Sequence, residues 1–172
     1  MNQPSGGVAG RLGWPVVGAA VLLLVAPVLP WVTVTARPPS GMTANAFPSY
    51  AVSGLGGAYV VWGVLALMCA LAAGALGLTG AITRNGWVTG AAAVPGIAAL
   101  VVAGLTAVQL AVTKPTYAPP GLTRTLPPLA LAYLRARAEA FPAYGWYIAL
   151  LAALLLLGLG ATAFILTVTR RR

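Results

Sequence analysis

The chain has 172 residues, of which 60% are hydrophobic and 6% are charged, and its formal net charge is +9. Soluble globular domains carry about 25% charged residues, so this composition excludes that class and indicates an integral membrane protein. The chain has no His or Asp, and Glu139, Cys69 and Lys114 each stand alone in their residue type. Catalysis by acids and bases and metal binding draw mainly on these residue types, so we expect no enzyme, no cofactor and no metal site.

Four apolar segments are long enough to span a bilayer as helices, since about 20 residues at a rise of 1.5 Å each suffice. They cover about 12–34, 58–82, 88–112 and 147–168. The pattern predicts an all-α fold, a four-transmembrane-helix bundle forming a single membrane domain over 1–172. A secretory signal peptide cleaved after Ala36 is the alternative reading of the first segment, whose outer end is interrupted by Pro27 and Pro30.

The connections between the spans differ greatly in length. Spans two and three are separated by "TRNGW", in which Asn85 and Gly86 tolerate a positive φ, so these spans should form an antiparallel hairpin. The other two connections, about 35–57 and 113–146, are rich in Pro, Gly and aromatic residues. With four spans, both of these long loops lie on the same side of the membrane.

Basic residues near the ends of the spans predict the orientation. On the side of the termini and the tight turn they lie in short segments, as Arg11, Arg84 and the run Arg170, Arg171 and Arg172. On the other side, five basic residues are spread over the two long loops. The denser side is expected in the cytoplasm, so both termini are predicted to be cytoplasmic and both loops extracytoplasmic. We expect Arg170, Arg171 and Arg172 to contact anionic lipids, and we expect no nucleic-acid partner.

Two copies of a short phrase precede the second and fourth spans, "AFPSY" at 46–50 and "AFPAY" at 140–144. Internal duplication and chance are both open as explanations. Aromatic side chains prefer the headgroup layer, so the aromatics near the spans are predicted to form an interfacial belt. A ligand-binding aromatic cluster is the alternative. The predicted belt residues are Trp31, Phe47, Tyr50, Tyr59, Trp62, Tyr144, Trp146 and Tyr147.

The second loop contains "PLALAYLRARAEAF" between Pro128 and Phe141, a stretch rich in helix formers. Its mixed charges and apolar positions predict a short interfacial helix. The same helix is a candidate docking surface for a partner protein. The residues proposed for docking are Leu131, Leu134, Arg135, Arg137 and Phe141.

Within the spans, small residues recur at helical spacing and predict close helix packing. The predicted ridges are Ala73, Gly77 and Ala81 on span two, Ala99, Ala103, Ala107 and Ala111 on span three, and Gly145, Ala149 and Ala153 on span four. Polar residues inside the spans, such as Gln109, are expected to join helices and not to form an ion path.

The chain resembles small four-helix membrane proteins of actinobacteria in four features. These are the stretch "LLLVAPVLPWVTVT", the "SGLGG" before the second span, the tight basic turn, and the last span led by Tyr and Trp. The Trp-operon-associated membrane protein family is the nearest, and its local motif here is Pro30-Trp31-Val32-Thr33. The resemblance covers the whole layout. It implies a multi-pass protein of the bacterial plasma membrane and brings no established chemistry with it.

Three classes of function remain after this reasoning. Few catalytic side chains are present, which disfavours a membrane enzyme. The sequence therefore favours a non-catalytic accessory or scaffold subunit bound to larger integral membrane subunits, with cell-envelope lipid transport or a respiratory assembly as the expected host. A lipid-binding or transport component acting on its own is the alternative.

Overall fold

A computed structural model describes residues 8–36, 50–53, 59–112 and 138–169 of the chain. Helices dominate these residues and are joined at one end by a small β-sheet. The helices are α1 (Gly13–Val25), α2 (Val60–Thr83), α3 (Gly86–Ala91), α4 (Ala93–Val112) and α5 (Tyr144–Thr169), with one 3₁₀ turn at Ala26–Val28. The strands are β1 (Pro30–Ala36), β2 (Tyr50–Ser53) and β3 (Ala138–Pro142).

Three helical segments of the described chain are long and apolar enough to cross a membrane, which identifies a membrane protein. They are α2, the combined α3 and α4 from Gly86 to Val112, and α5. Their bounds confirm the second, third and fourth predicted spans to within three residues at each end. The apolar helical stretch from Gly13 to Val28 is shorter than these three, so the first predicted span, and with it a total of four, stays a prediction.

The helices pack as a four-membered ring in which neighbours run antiparallel. α1 packs against α2 and α5, and α4 packs against the same two helices. Small residues form most of the buried faces, and seven of the ten ridge residues predicted from the sequence are buried. Ala81 and Ala107 are half-buried and Ala111 is exposed. Close approach between backbones stabilises such a bundle, because lipid supplies no hydrophobic drive for helix association.

The sheet is the main feature that the predicted all-α fold lacked. Its strand order is β2-β1-β3, and both pairings are antiparallel. β1 follows the first helix, β2 lies in the loop before α2, and β3 leads directly into α5. The loops predicted over 35–57 and 113–146 therefore each contribute a strand that pairs with β1.

The predicted first span over 12–34 ends earlier than expected. α1 stops at Val25, and the chain leaves the 3₁₀ turn at Leu29 to begin β1 at Pro30. Pro27 lies in the 3₁₀ turn, and both prolines lack the N–H that would continue an α-helix. The run "VTVT" that follows is β-branched throughout, which favours a strand.

The tight turn has a different geometry from the predicted one. Arg84, and not Asn85 or Gly86, adopts the left-handed conformation, with φ of 52°. Asn85 is extended and caps α3, because its side-chain oxygen accepts a hydrogen bond from the Trp87 backbone N–H at 3.0 Å. The predicted antiparallel hairpin of spans two and three is present, since α2 packs against both α3 and α4.

The interfacial helix predicted over 128–141 falls mostly outside the described residues. Its last part, Ala138–Phe141, is strand β3 instead of helix. The reason is tertiary: β3 pairs with β1 from Ala138 to Pro142, and these long-range hydrogen bonds override local helix propensity.

Candidate functional site

Trp31 lies at the centre of the end of the bundle that the sheet covers, which we call the sheet end. The register of β1 on β2 shifts between Pro30 and Val32, so Trp31 is the extra residue of a β-bulge. A bulge redirects a side chain out of the normal alternation. Both Trp31 and Val32 are buried as a result, at 0% and 1% exposure. The Trp31 indole Nε1–H donates to the Ala26 carbonyl oxygen at 2.8 Å.

Two further indoles bind the helices together at this end. The Trp62 Nε1–H on α2 donates to the Gln109 side-chain oxygen on α4. The Trp146 Nε1–H on α5 donates to the Ala103 carbonyl oxygen on α4 at 3.1 Å. Gln109 therefore joins two helices, in the way expected for polar groups between membrane helices.

The predicted aromatic belt divides into two groups. Trp31 and Tyr59 are buried in the core, while Trp62 and Trp146 are half-buried against it. Trp31 and Tyr59 therefore belong to the interior of the bundle, whereas Trp62 and Trp146 keep part of their surface exposed. Tyr144 and Tyr147 are more than half exposed, and neighbouring Phe141 is 49% exposed. We call Phe141, Tyr144 and Tyr147 the aromatic rim.

The structure does not describe the side chains of several predicted site residues. Tyr50 begins β2, and nothing is described of its side chain. Beyond the described ranges lie Phe47, the docking candidates Leu131, Leu134, Arg135 and Arg137, and the lipid-contact candidates Arg170, Arg171 and Arg172. Of the docking candidates, Phe141 is therefore the one whose surroundings are known.

A groove lies at the opposite end of the bundle, which holds the Arg84 turn and which we call the turn end. It is open, runs between α3–α4 and α5, and has a volume of about 420 Å³. Trp87 and Phe164 meet edge to face at its side, with ring centroids 5.1 Å apart. We call it the turn-end groove, and it is lined by Trp87, Gly90, Ala91, Ala93, Val94, Ala161, Phe164 and Ile165.

Two local features of the sequence create this groove. Pro95 has no N–H to donate to the Ala91 carbonyl, and the helix is interrupted at Ala92. Next to the interruption, Gly90 packs against the backbone of Phe164, and Gly160 packs against Ala93. The close backbone contact forms the floor, and the larger side chains on either side of it form the walls.

Basic residues accompany the groove at the turn end. Arg11 and Arg84 are both exposed, and the Cα of Arg84 lies against Gly10. Arg84 precedes the groove residue Trp87 by less than one helical turn. In the sequence, Arg170, Arg171 and Arg172 follow directly after the last residue of α5.

The sheet end and the turn end each have surface features that could bind another molecule. The sheet end offers aromatic faces, and the turn end offers an apolar groove beside cations. Among residues 8–36, 50–53, 59–112 and 138–169, no group of three or more His, Cys, Asp or Glu side chains is placed to hold a metal ion. Among the side chains that the structure describes, every buried nitrogen or oxygen has a hydrogen-bond partner.

The groove residues were not predicted as a site from the sequence. Two signals for them were present in the printed chain. Trp87 directly follows the tight turn, where an aromatic residue often marks a membrane interface. Pro95 interrupts an otherwise apolar span, which is a common cause of a local opening between helices. Comparison with protein-family models, curated proteins and solved structures finds no match.

Proposed function

We propose that this protein is a non-catalytic accessory or scaffold subunit of a larger complex in the bacterial plasma membrane. Cell-envelope lipid transport and respiratory assemblies are the proposed hosts. The supporting observation is that the aromatic rim is exposed and is held in place by the β-sheet. Phe141, Tyr144 and Tyr147 expose about half of their side chains directly beside the three-stranded sheet.

The bracing makes the rim suited to docking. β3 is held by β1 through five residue pairs, and the Ala143 N–H donates to the Trp31 carbonyl oxygen at 2.8 Å. The rim therefore loses little conformational freedom when it binds, which lowers the entropic cost of association. Aromatic residues are also enriched at the centres of protein interfaces.

The proposed topology has four spans, with both termini in the cytoplasm and the sheet end outside. Packing at both ends of the first segment supports four spans. Ala9 lies beside Gly86 at the turn end, and Leu29 and Pro30 lie against Gly145 at the sheet end. Residues 9–30 thus extend along the bundle from the start of α3 to the start of α5, although α1 itself has 13 residues.

A co-purification experiment tests the docking proposal. The double variant Leu134→Ser with Phe141→Ser should enter the membrane but lose the larger subunits that co-purify with the wild-type chain in mild detergent. Trp14→Ser is the control, because Trp14 is 61% exposed on α1 and lies away from the rim. Undiminished recovery of the partner with the double variant would contradict docking at this surface.

The second candidate function is a lipid-binding or transport component acting on its own. The turn-end groove favours it, because an apolar groove between membrane helices is a suitable place for an acyl chain. The purified chain alone would then bind lipid without any protein partner, whereas an accessory subunit is recovered with its host.

A further inference from the structure

The walls of the turn-end groove are apolar and open to the surroundings of the bundle. Val94 is 68% exposed, Ile165 58% and Phe164 46%. Both sides of the groove belong to helices long enough to cross a membrane, so in a bilayer the opening faces lipid chains. Its volume of about 420 Å³ lies within the range of small-molecule sites.

The charges beside the groove have one sign. Arg11 and Arg84 are the two basic residues within the described ranges, and both are exposed at the turn end. Asn85 caps α3 through the Trp87 backbone N–H, and Arg84 directly precedes Asn85, so Arg84 is three residues before the groove residue Trp87 in this capped turn. Three more arginines follow α5 in the sequence. An apolar groove that leads to a group of cations is complementary to a molecule with an apolar chain and an anionic head.

We propose that the turn-end groove binds an anionic phospholipid, with an acyl chain against Trp87, Val94 and Phe164 and the headgroup phosphate beside Arg84. The charge at the entrance distinguishes this ligand from an apolar helix of a partner or of a second copy, neither of which requires cations there.

This site goes beyond docking at the aromatic rim and is separable from it. The two surfaces lie at opposite ends of the bundle, so a variant at one should leave the other unchanged. The lipid site deepens the second candidate function by naming the class of lipid, and it does not depend on the identity of any partner subunit.

Native mass spectrometry of the full chain in neutral detergent tests the site, with dioleoyl phosphatidylglycerol and dioleoyl phosphatidylcholine as the probes. The wild-type chain should retain the anionic lipid in preference to the neutral one. Ala91→Phe places a ring in the groove from an exposed position and should abolish this retention. Ala75→Phe is the matched control, since Ala75 is exposed on α2 outside the groove, and it should bind as the wild type does.

Arg84→Gln tests the headgroup contact separately. It should reduce phosphatidylglycerol retention about fivefold, as expected for one basic residue at a membrane surface. Phosphatidylcholine retention should fall less, because the choline cation of that lipid offsets the charge of its phosphate. Fluorescence gives an independent measurement: brominated phosphatidylglycerol in nanodiscs should quench Trp87 less in Ala91→Phe than in Ala75→Phe. The Trp87→Phe variant defines the contribution of Trp87 to the signal.

Three results would overturn the proposal. Retention of phosphatidylglycerol by Ala91→Phe at the wild-type level would show that the groove does not hold the chain. Equal retention of both lipids by the wild type would remove the role of the arginines. Loss of a dimer or of a protein partner in Ala91→Phe, with lipid retention unchanged, would assign the groove to a helix.

Discussion

Trp31 shows how one residue connects the sheet to the bundle. As the extra residue of the β-bulge it turns inward, where it is fully buried and donates to the Ala26 carbonyl at the end of α1. That carbonyl lies in the 3₁₀ turn, where the regular helical hydrogen bonds run out. The Ala26 carbonyl oxygen also accepts from the Leu29 N–H at 3.2 Å, so the indole fills the core and gives this backbone acceptor a second hydrogen bond.

Trp31→Phe should lower the free energy of unfolding by about 2 kcal/mol, because it leaves a small cavity and removes one of the two hydrogen bonds that the buried Ala26 carbonyl oxygen accepts, the other coming from the Leu29 N–H. Denaturation in mixed micelles of mild detergent and dodecyl sulfate would measure this. Trp14→Phe makes the same chemical change at a position that is 61% exposed, and its effect should stay within about 0.5 kcal/mol. Equal effects of the two substitutions would contradict the buried position of Trp31.

Gly145 and Gly158 lie on the same helix but in opposite environments. A Cβ on Gly145 would lie 2.6 Å from the Pro30 carbonyl oxygen, whereas a Cβ on Gly158 would meet no atom within 4 Å. Gly145 therefore permits the close approach of α5 to the chain entering β1. The same substitution should then change stability in opposite directions at the two positions.

Gly145→Ala should destabilise the protein by about 1–3 kcal/mol, because backbone atoms must move apart to admit the methyl group. Gly158→Ala should raise stability by up to about 1 kcal/mol, because Ala is the better helix former. Thermal unfolding of both variants in the same detergent would measure the two effects. A Gly145→Ala variant as stable as Gly158→Ala would rule out the close contact with Pro30.

At the scale of whole elements, the sequence predicts the long helices well and the sheet not at all. Long apolar runs without strong strand or turn signals correspond to α2, α3–α4 and α5. Length and composition are therefore enough to predict these helices. The strands are short, and β1 pairs with segments far away in the chain, so no local pattern defines their partners. The run from Val32 to Thr35, in which apolar Val and polar Thr alternate and every residue is β-branched, was the available signal for β1.

The candidate sites show the same division. The exposure of Tyr144 and Tyr147 agrees with an interfacial position, which the sequence indicated from their place at the start of the last span. The burial of Trp31 depends on a bulge that only strand pairing creates. The groove depends on how Gly90 and Gly160 bring two helices together, and such contacts cannot be read from one chain segment at a time.

The strand register can be tested directly with an engineered disulfide. Thr33 and Phe141 are paired across β1 and β3, and facing residues in antiparallel strands have a separation that suits a disulfide. In a Cys69→Ala background, Thr33→Cys with Phe141→Cys should therefore cross-link on mild oxidation. Thr33→Cys with Ala140→Cys should cross-link poorly, because adjacent residues of a strand point to opposite faces. A mobility shift on non-reducing gels distinguishes the two, and the reverse preference would indicate a different register.

At the scale of the whole molecule, topology is the property that most needs measurement. The length of α1 alone leaves the number of crossings open, whereas the contacts of residues 9–30 with both ends of the bundle support four. The distribution of arginines supports cytoplasmic termini. Four crossings and cytoplasmic termini together predict which positions an external reagent can reach.

A membrane-impermeant thiol reagent should label Ser40→Cys and Thr123→Cys in intact cells, each in a Cys69→Ala background. Asn85→Cys should react only after the membrane is permeabilised, since the turn end is expected in the cytoplasm. Labelling of Asn85→Cys in intact cells would invert the orientation. Labelling of Ser40→Cys and Thr123→Cys from opposite sides would contradict an even number of crossings between them.

The central position of β1 imposes an order on the folding of the chain. β1 is synthesised early and can pair with β2 as soon as the second helix enters the membrane, but its other neighbour, β3, emerges only just before the last helix. The edge of β1 that pairs with β3 therefore stays without this partner strand while α2, α3 and α4 are synthesised. The last pairing joins β1 to β3, about a hundred residues further along the chain. A product truncated before residue 138 therefore cannot complete the sheet, even if its helices form.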